Sequence, residues 1–252
     1  MANCFLLGSG GGGENWITSI PEMHRNIFRG KNLGSEVTAA QLAAIADGSF
    51  DDLYVGDYWE INDIIWRIGD IDYWYGTSDT AFNIHHIVVL PDNSLYSAVM
   101  NDSDTTTGGY VGSKMYRTNL AQAKTMINTA FPDMVLTHQE VLVDAVSNGI
   151  PSSGNWYDST VDLMNEPMAY GRREFMAAIN GSYIPYNFTI DKVQLALFRL
   201  VPSFIAANED IWLRDIVSSN QFSAVNKTGN SLTRHANTSH GVRPVFAIGV
   251  AA

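Results

Sequence analysis

The sequence predicts an α+β protein in which the N-terminal and C-terminal strands share a sheet. Strand patterns lie near both ends of the chain, over residues 50–92 and 211–248, and helical spacing dominates residues 113–200. Strands that flank a helical middle are typical of the α+β class. Mixed, mainly antiparallel sheets with helices and long loops are therefore expected.

The composition indicates one large globular domain, or one domain with a small appendage. The chain has 252 residues, of which 46% are hydrophobic and 16% are charged. Its net charge of −11 argues against a nucleic-acid-binding protein, because neutralising phosphates requires a basic face. The single cysteine, Cys4, allows neither an intramolecular disulfide nor a cysteine-based metal site.

Residues 1–47 are predicted to be an attachment or oligomerisation segment, followed by a domain over residues 48–252. The glycine run at residues 8–13 indicates a flexible linker, since no Gly-Lys-Ser/Thr follows it to bind phosphates. The start of the chain has no basic region and only a short apolar run, so neither a secretory signal nor a membrane span is expected.

The predicted elements follow from local patterns along the chain. A short helix is expected between Thr38, its N-cap, and Gly48, its stop. Strands are expected at 57–62 and 64–68, joined by a turn at Asn62-Asp63, and at 84–90, with a polar loop at 101–109. Helices are expected at 120–131, 140–146, 159–166 and 191–200, and strands again at 211–213 and 245–248.

A polar insert, residues 220–240, separates two apolar anchors, residues 211–219 and 241–249. No Asp or Glu occurs after Asp215, so positive charge accumulates in the insert of an otherwise acidic protein. The insert is either an ordinary polar surface loop or a binding surface held by rigid anchors, with small side chains like those of antibody paratopes. The candidate ligand-binding residues are Asn220, Gln221, Ser223, Asn226, Thr228, Asn230, Ser231, Thr233, Arg234, His235, Asn237, Thr238, Ser239 and His240.

A structural frame is predicted on either side of the insert, formed by Trp212, Arg214, Gly241, Arg243 and Pro244. Both arginines are expected to tie the insert to the body of the protein through carboxylates or carbonyls. The apolar side chains within the insert, those of Phe222, Ala224 and Val225, are expected to pin it to the core.

Catalytic and metal-binding alternatives have weaker patterns. Asp70 and Asp72 would share a face of a strand and offer two carboxylates for glycosidase chemistry, but turn capping beside the aromatic residues 73–75 explains them equally well. Adjacent His85 and His86 would point to opposite faces of a strand, so one is expected in the core and one at the surface.

Two further patterns also fall short of a metal site. His138-Gln-Glu140 lacks the second histidine of a zinc-protease motif. Asp102-Ser-Asp104 resembles the start of a calcium loop, but Thr107 and Ser113 occupy the positions that require glycine and glutamate.

The anchor sequences Trp212-Leu-Arg-Asp and Gly241-Val-Arg-Pro-Val-Phe-Ala-Ile resemble the C-terminal signature of the variable proteins of diversity-generating retroelements, found in phages and gut bacteria. Shorter matches at residues 53–59, 110–116, 136–138 and 156–164 extend the resemblance over roughly residues 48–250. The resemblance implies a C-type-lectin-like fold that displays a hypervariable C-terminal surface, with the variable region at about residues 212–248.

In such systems, errors at template adenines convert AAC codons for asparagine into codons for Ser, Thr, His, Arg and other residues. The composition of the insert is compatible with that process, whereas Gln221 and Lys227 are not products of AAC. Related phage determinants form trimers that present the variable face to a host receptor.

The leading hypothesis is therefore a non-enzymatic, receptor-binding tropism protein of a phage, or a bacterial relative. Its expected partners are a host-surface receptor or another protein or glycan ligand, a virion structural protein at the N-terminal segment, and further copies of itself as a homo-oligomer. No cofactor, metal, nucleic acid or membrane insertion is expected. The expected location is the virion surface, with the bacterial cytoplasm or cell surface as alternatives.

Two alternatives belong to other functional classes. One is a structural virion decoration or head-fibre protein with no ligand. The other is a glycan-acting enzyme that uses Asp70 and Asp72.

Overall fold

The computed structural model describes residues 21–77, 81–176 and 193–251. The α-helices in these ranges are α1 (Pro21–Arg25), α2 (Ala39–Ala46), α3 (Leu120–Ala130), α4 (Glu166–Tyr170) and α5 (Ala196–Leu200). The strands are β1 (Tyr58–Ile61), β2 (Ile64–Ile71), β3 (His86–Pro91), β4 (Tyr96–Val99), β5 (His138–Ser147), β6 (Ile150–Ser159), β7 (Val161–Leu163), β8 (Ile211–Ile216), β9 (Gln221–Val225), β10 (Ser231–His235), β11 (Ser239–Val242) and β12 (Pro244–Gly249). The glycine run and Cys4 lie outside the described residues.

The first sheet joins the two ends of the described chain. Its strand order is β1-β2-β3-β12-β7, and every neighbouring pair is antiparallel. The last strand, β12, therefore lies between β3 and β7, which confirms that the N-terminal and C-terminal strands share a sheet. Together with the helices, this architecture confirms the α+β class.

The second sheet carries the insert. Its strand order is β10-β9-β8-β11-β4, in which β8 and β11 are parallel and the other neighbouring pairs are antiparallel. The β8 and β12 strands, which lie on opposite sides of the insert in the sequence, belong to different sheets. The insert is thus held by two separate layers of the fold.

A buried aromatic cluster fixes α3 to the first sheet. The ring of Trp66 lies 5.6 Å from that of Phe131 and 5.7 Å from that of Phe246, and both contacts are edge-on. Leu120, Ala123 and Ile127 are buried on one face of α3, as their helical spacing predicts. Phe131 is the C-cap of α3, so the helix ends inside the core.

Several local predictions are confirmed. Thr38 forms a capping box with Gln41 at the start of α2, with both reciprocal hydrogen bonds present. Asn62 and Asp63 join β1 to β2 with φ angles of 55° and 60°, as a two-residue hairpin turn with matching twist requires. Residues 101–109 form no helix or strand.

The helices predicted at 140–146 and 159–166 are wrong. Residues 140–146 belong to β5, which pairs with β6 in a two-stranded sheet, and residues 159–166 contain the end of β6, all of β7 and only the start of α4. The Val and Leu residues of β5 fill both faces of the strand, which hides the alternation that would identify it. Pairing with β6 decides the conformation, because strand propensity depends on neighbouring strands.

The helix predicted at 191–200 is correct only in its last five residues, which form α5. Residues 191 and 192 lie outside the described ranges, and residues 193–195 are not helical. The amide of Ala196 at the start of α5 donates a hydrogen bond to the Asp70 carboxylate at 2.8 Å, which anchors the helix there. The helix ends before Pro202, as predicted.

The boundary predicted at residue 47 does not coincide with a break in packing. In α2, Ile45 has no exposed surface, and Arg25 of α1 forms a buried ion pair with Asp70 of β2 at 2.5 Å. Phe28 forms an isolated parallel β-bridge with Val55. Residues 21–47 therefore pack into the same body as the strands that follow, and an attachment role for this segment stays a prediction.

Candidate binding surface

The frame on either side of the insert is buried. Trp212 has no exposed surface and donates from its indole Nε1 to the Ala98 carbonyl at 2.8 Å. Gly241 and Pro244 are also buried. A Cβ atom at Gly241 would lie 2.7 Å from the Cβ of Ser94, so only glycine allows β11 to approach this closely.

Arg243 is the most deeply buried cation of the frame. It has no exposed surface and donates to the carbonyls of Pro91 at 2.8 Å, Phe204 at 2.9 Å and Ile205 at 3.2 Å. Burial lowers the pKa of Arg243 to about 10, so the guanidinium stays charged at neutral pH. The side chain ties β12 to the turn after α5 through carbonyls, as predicted for the frame.

Arg214 lies in a buried, mostly acidic network. Its guanidinium binds Glu140 of β5 and donates to the Leu163 carbonyl at 3.1 Å. Burial alone would raise the pKa of Glu140, but the Arg214 charge and a hydrogen bond from His138 lower this pKa to about 2. Asp162 lies nearby, and burial raises its pKa. Arg214 thus has a buried carboxylate partner, the kind of contact expected of the frame, and its structural role stays a prediction.

Glu166, at the start of α4, joins the frame to the insert. Its fully buried carboxylate accepts hydrogen bonds from the amides of residues 174–176, at 2.6 Å to 3.0 Å, and from the Ser223 hydroxyl of β9. Its own amide donates to the carboxylate of Asp215 in β8. One side chain thus connects α4, β9 and the segment that follows α4.

The prediction that Ser223 is an exposed, ligand-binding position is wrong. Its side chain is fully buried because it supplies the hydroxyl that Glu166 binds. Phe222, Ala224 and Val225 are also buried, which confirms that these residues pin the insert to the core. Strand β9 is therefore buried on both faces between Phe222 and Val225.

The other candidate residues lie at the surface or at its edge. The exposed ones are Thr228, Asn230, His235, Asn237, Thr238 and Ser239. The half-buried ones are Asn220, Gln221, Asn226, Ser231, Thr233, Arg234 and His240. They occupy the turn before β9 and its first residue, β10, β11 and the turns at either end of β10. In β10 alternate residues point to opposite faces of the sheet, so Arg234 lies on the face opposite Ser231 and Thr233. The candidate residues therefore do not all lie on one face of β10.

Acidic residues from outside the insert balance its positive charge. Arg234 forms an ion pair with Asp210, and Asp210 also accepts the Lys227 amide at 3.1 Å. His240 packs edge-on against the Trp212 ring, with centroids 4.9 Å apart. Burial and the Arg234 charge lower the pKa of His240, so this imidazole is neutral at pH 7.

A second acidic contact comes from the polar loop at 101–109. The Asp104 carboxylate lies 2.9 Å from Nδ1 of His235 and accepts a hydrogen bond from the Asn220 amide at 3.0 Å. Asp102 pairs with Lys114 instead. Both carboxylates of the calcium-like pattern thus have protein partners, and in the described ranges no group of three or more His, Cys, Asp or Glu is placed to hold a metal ion.

Asp70 and Asp72 each have partners within the protein. A bulge between Ile68 and Asp70 interrupts the β2 pairing, which alters the simple alternation along the strand. Asp70 is fully buried against Arg25. Asp72 lies after the strand with φ of 53°, and its carbonyl accepts the Tyr75 amide in a turn at 3.1 Å. Its side chain accepts the His86 amide at 3.0 Å.

The strand predicted at 84–90 begins only at His86, and His85 and His86 have the different environments that were predicted. His86 is fully buried, and its Nε2 accepts a hydrogen bond from the Trp74 amide at 3.1 Å. His85 is partly exposed, and its Nδ1 lies 2.8 Å from the Asp72 carboxylate. His138 stacks on the Trp74 ring at 3.8 Å and contacts Glu140. These contacts place the histidines in packing and hydrogen-bonding roles.

Sequence reasoning missed the contribution of the segment around α4 and of the turn after α5. Tyr170, Arg172 and Glu174 lie beside the β9–β10 turn, together with Pro202 and Ser203. Asn165 is the N-cap of α4 and accepts the Met168 amide. The N-cap asparagine and the proline two residues later were the available signals for this helix start.

Asp215 makes the stability of the protein depend on pH. Burial and the nearby Glu166 charge raise its pKa to about 7, from an ordinary value of 3.8. Because the folded state then holds a proton that the unfolded state releases, stability decreases by roughly 1 kcal/mol per pH unit between these values. We expect Asp215→Asn to flatten this decrease, as measured by urea unfolding between pH 5 and pH 8. The loss of stability at acid pH, where Glu140 becomes protonated, should be the same in the variant and the parent. A parallel pH profile in the variant would contradict this assignment.

Comparison with known proteins identifies no relative. No family model, no curated protein and no solved structure matches the chain. Over residues 21–77, 81–176 and 193–251, no helix is long and apolar enough to cross a membrane.

Proposed function

We propose that the protein is a non-enzymatic binding protein that recognises its ligand through the exposed residues of the insert. The observation that carries the proposal is the contrast between a buried, ion-paired frame and an exposed polar surface on β10, β11 and their turns. Rigid scaffolds that display adaptable polar side chains are typical of recognition surfaces. Most binding energy is then expected from a few well-packed positions in the surface.

We further propose that the protein is a variable protein of a diversity-generating retroelement with a C-type-lectin-like fold, and that it acts as a phage receptor-binding protein on the virion surface. The sequence resemblance of the two anchors supports this proposal. The burial of residues 211–216 and 241–249 in the two anchors supports it as well, because a diversified surface requires a frame that tolerates change at neighbouring positions. Homo-oligomerisation and virion attachment are part of the same proposal.

Sequencing the coding segment in a natural population tests the proposal. We expect substitutions to concentrate at exposed positions such as Asn237, Thr238 and Ser239, and to be absent at Ser223 because Glu166 needs its hydroxyl. A near-copy of the segment that differs at adenines is expected beside a reverse transcriptase gene. Variation spread evenly over the surface would instead favour a decoration protein with no ligand.

A second measurement tests binding itself. The triple variant Asn237→Ala, Thr238→Ala and Ser239→Ala changes only exposed residues. Its stability is expected to stay within about 0.5 kcal/mol of the parent protein, while adsorption of the labelled protein to host cells decreases. The matched control replaces exposed Arg117, Gln122 and Asn128, near or on α3, with alanine. Equal adsorption by both variants and the parent would refute the proposed surface.

A further inference from the structure

A cleft lies beside the turn between β9 and β10 and has a volume of about 490 Å³. We call it the turn cleft. Its walls come from insert residues 228–231, the end of α4 with the segment that follows, and the turn Pro202–Ile205. The volume falls within the range of roughly 300–1,000 Å³ that is typical of small-molecule sites. The turn cleft therefore combines candidate variable positions with residues outside the insert.

One side of the turn cleft is apolar and aromatic. Tyr170 is half-buried, its hydroxyl donates to the Gly229 carbonyl at 3.3 Å, and Pro202 and nearly buried Ile205 line the same cleft. Burial and the nearby charges of Glu174 and Glu166 raise the pKa of Tyr170 well above its ordinary value, so the phenol is neutral. This side offers a flat, uncharged surface for the carbon–hydrogen face of a ligand.

The rim of the turn cleft also carries both donors and acceptors of hydrogen bonds. Asn230 is exposed, and its amide nitrogen donates to the Thr228 hydroxyl at 3.1 Å, while its side-chain oxygen has no partner among the described residues. The exposed hydroxyl of Ser203 also has no partner in that part of the chain. Neutral amides and hydroxyls both donate and accept, which suits a ligand that carries several hydroxyl groups.

The charges of the turn cleft cancel. Arg172 donates to the Glu174 carboxylate at 2.6 Å, and the Ser231 hydroxyl lies 3.4 Å from the other oxygen of that carboxylate. Arg172 is mostly exposed, so its remaining nitrogens can donate to a ligand. Because one cation and one anion are paired, the turn cleft favours neither an anionic nor a cationic ligand.

The backbone amides of the turn at residues 227–230 already have acceptors within the protein. The amide of Lys227 donates to Asp210, those of Thr228 and Asn230 to the Asn226 side chain, and that of Gly229 to the Asn226 carbonyl. Recognition of an extended peptide through added strand pairing needs free backbone groups at an edge. Side-chain recognition of a hydroxylated ligand has no such need, and the internally bonded turn holds the rim side chains in place.

From this arrangement we propose that the turn cleft binds one neutral saccharide unit, with the sugar ring against Tyr170 and Pro202 and its hydroxyls bonded to Asn230, Ser203 and Arg172. The inference rests on the proposed binding function and names its ligand class. It assigns specificity partly to residues outside the insert, so diversification would adjust one rim while the aromatic side stays constant.

Nuclear magnetic resonance titration of the full chain tests the proposal. The probes are methyl glycosides of glucose, mannose, galactose, N-acetylglucosamine and rhamnose. A single sugar unit makes few contacts, so we expect a millimolar dissociation constant and raise the glycoside concentration to roughly ten times that value. We expect at least one glycoside to shift the amides of Gly229, Asn230, Ser231 and Ser203. No shift at these amides with any glycoside overturns the proposal.

Variants then assign the contacts. Asn230→Ala and Tyr170→Leu are expected to weaken binding about tenfold or more, as loss of a hydrogen bond or of a packed ring does. Tyr170→Phe keeps the ring and should retain binding, and Asn128→Ala on α3 is the matched amide control. Equal binding by Asn230→Ala, Tyr170→Leu and the parent overturns the proposed contacts. Each variant's amide spectrum also shows whether its fold is intact.

A neutral tripeptide serves as the competing class of probe. If triglycine shifts the same amides more strongly than every glycoside, the saccharide assignment is wrong. Host-cell adsorption separates this inference from the proposed function. If adsorption still depends on Asn237, Thr238 and Ser239 while no glycoside binds, only the saccharide proposal fails.

Discussion

Replacing Arg214 with methionine is expected to lower the free energy of unfolding by about 3–5 kcal/mol. The guanidinium is the partner of buried Glu140, and its charge also favours the ionised forms of Asp162 and Asp215. Without it, the Glu140 carboxylate would remain in the interior with only His138 as a bonded partner. Urea unfolding at neutral pH measures the change, and the expected loss is a large part of the stability of an ordinary domain.

The double variant Arg214→Met with Glu140→Leu provides the control. Replacing a buried ion pair by apolar side chains is often neutral, whereas removing one partner leaves an uncompensated charge. We therefore expect the second substitution to restore a large share of the stability that the first one removes. A double variant that is less stable than Arg214→Met would show that Glu140 is not the group that Arg214 compensates.

Replacing Glu166 with alanine is expected to cost about 3 kcal/mol or more and to loosen the segment that follows α4. Three backbone amides at residues 174–176 and the Ser223 hydroxyl would lose their shared acceptor, and a buried polar group without a partner costs about 1–3 kcal/mol. The pKa of Asp215 should also fall, because the nearby Glu166 charge raises it. Hydrogen exchange of the amides of residues 174–176 reports the loosening directly.

A double-mutant cycle isolates the link between Glu166 and the insert. Ser223→Ala alone is expected to cost about 1–3 kcal/mol, because the hydroxyl donates to a buried carboxylate. In the Glu166→Ala background the same change should cost close to nothing, since the partner is already absent. Additive costs would show that the two side chains stabilise the fold independently. The cycle therefore tests whether one residue of the insert is structural.

Elements with strong local signals were predictable from the sequence. Thr38 and Gln41 encode a capping box, and Asn62-Asp63 suits a turn in which both residues have positive φ. The spacing of apolar residues in α3 identifies its buried face. These features depend on neighbours within a few residues, so they can be read without knowledge of the fold.

The β5–β6 ribbon was missed although its turn carries a local signal, since Asn-Gly with positive φ at both residues is typical of a two-residue hairpin. Its sequence carries apolar residues on both faces, and the partner strand that decides its conformation follows a turn at Asn148-Gly149. The helices predicted at 140–146 and 159–166 are wrong because apolar spacing was given more weight than this turn, and because strand formation depends on cross-strand contacts. The start of α5 similarly depends on a residue distant in sequence, because Asp70 accepts the hydrogen bond of its first amide.

For the candidate site, the sequence by itself determined where the polar insert begins and ends and that both anchors are apolar. Only the tertiary structure decided that Ser223 faces inward, because β9 is buried on both faces and the Ser223 hydroxyl donates a hydrogen bond to Glu166. It also decided that Asp104 and Asp210 balance the charge of the insert and that Tyr170 and Pro202 form a cleft beside it. Those contacts join residues far apart in the chain, and composition and periodicity do not predict which distant groups will be in contact.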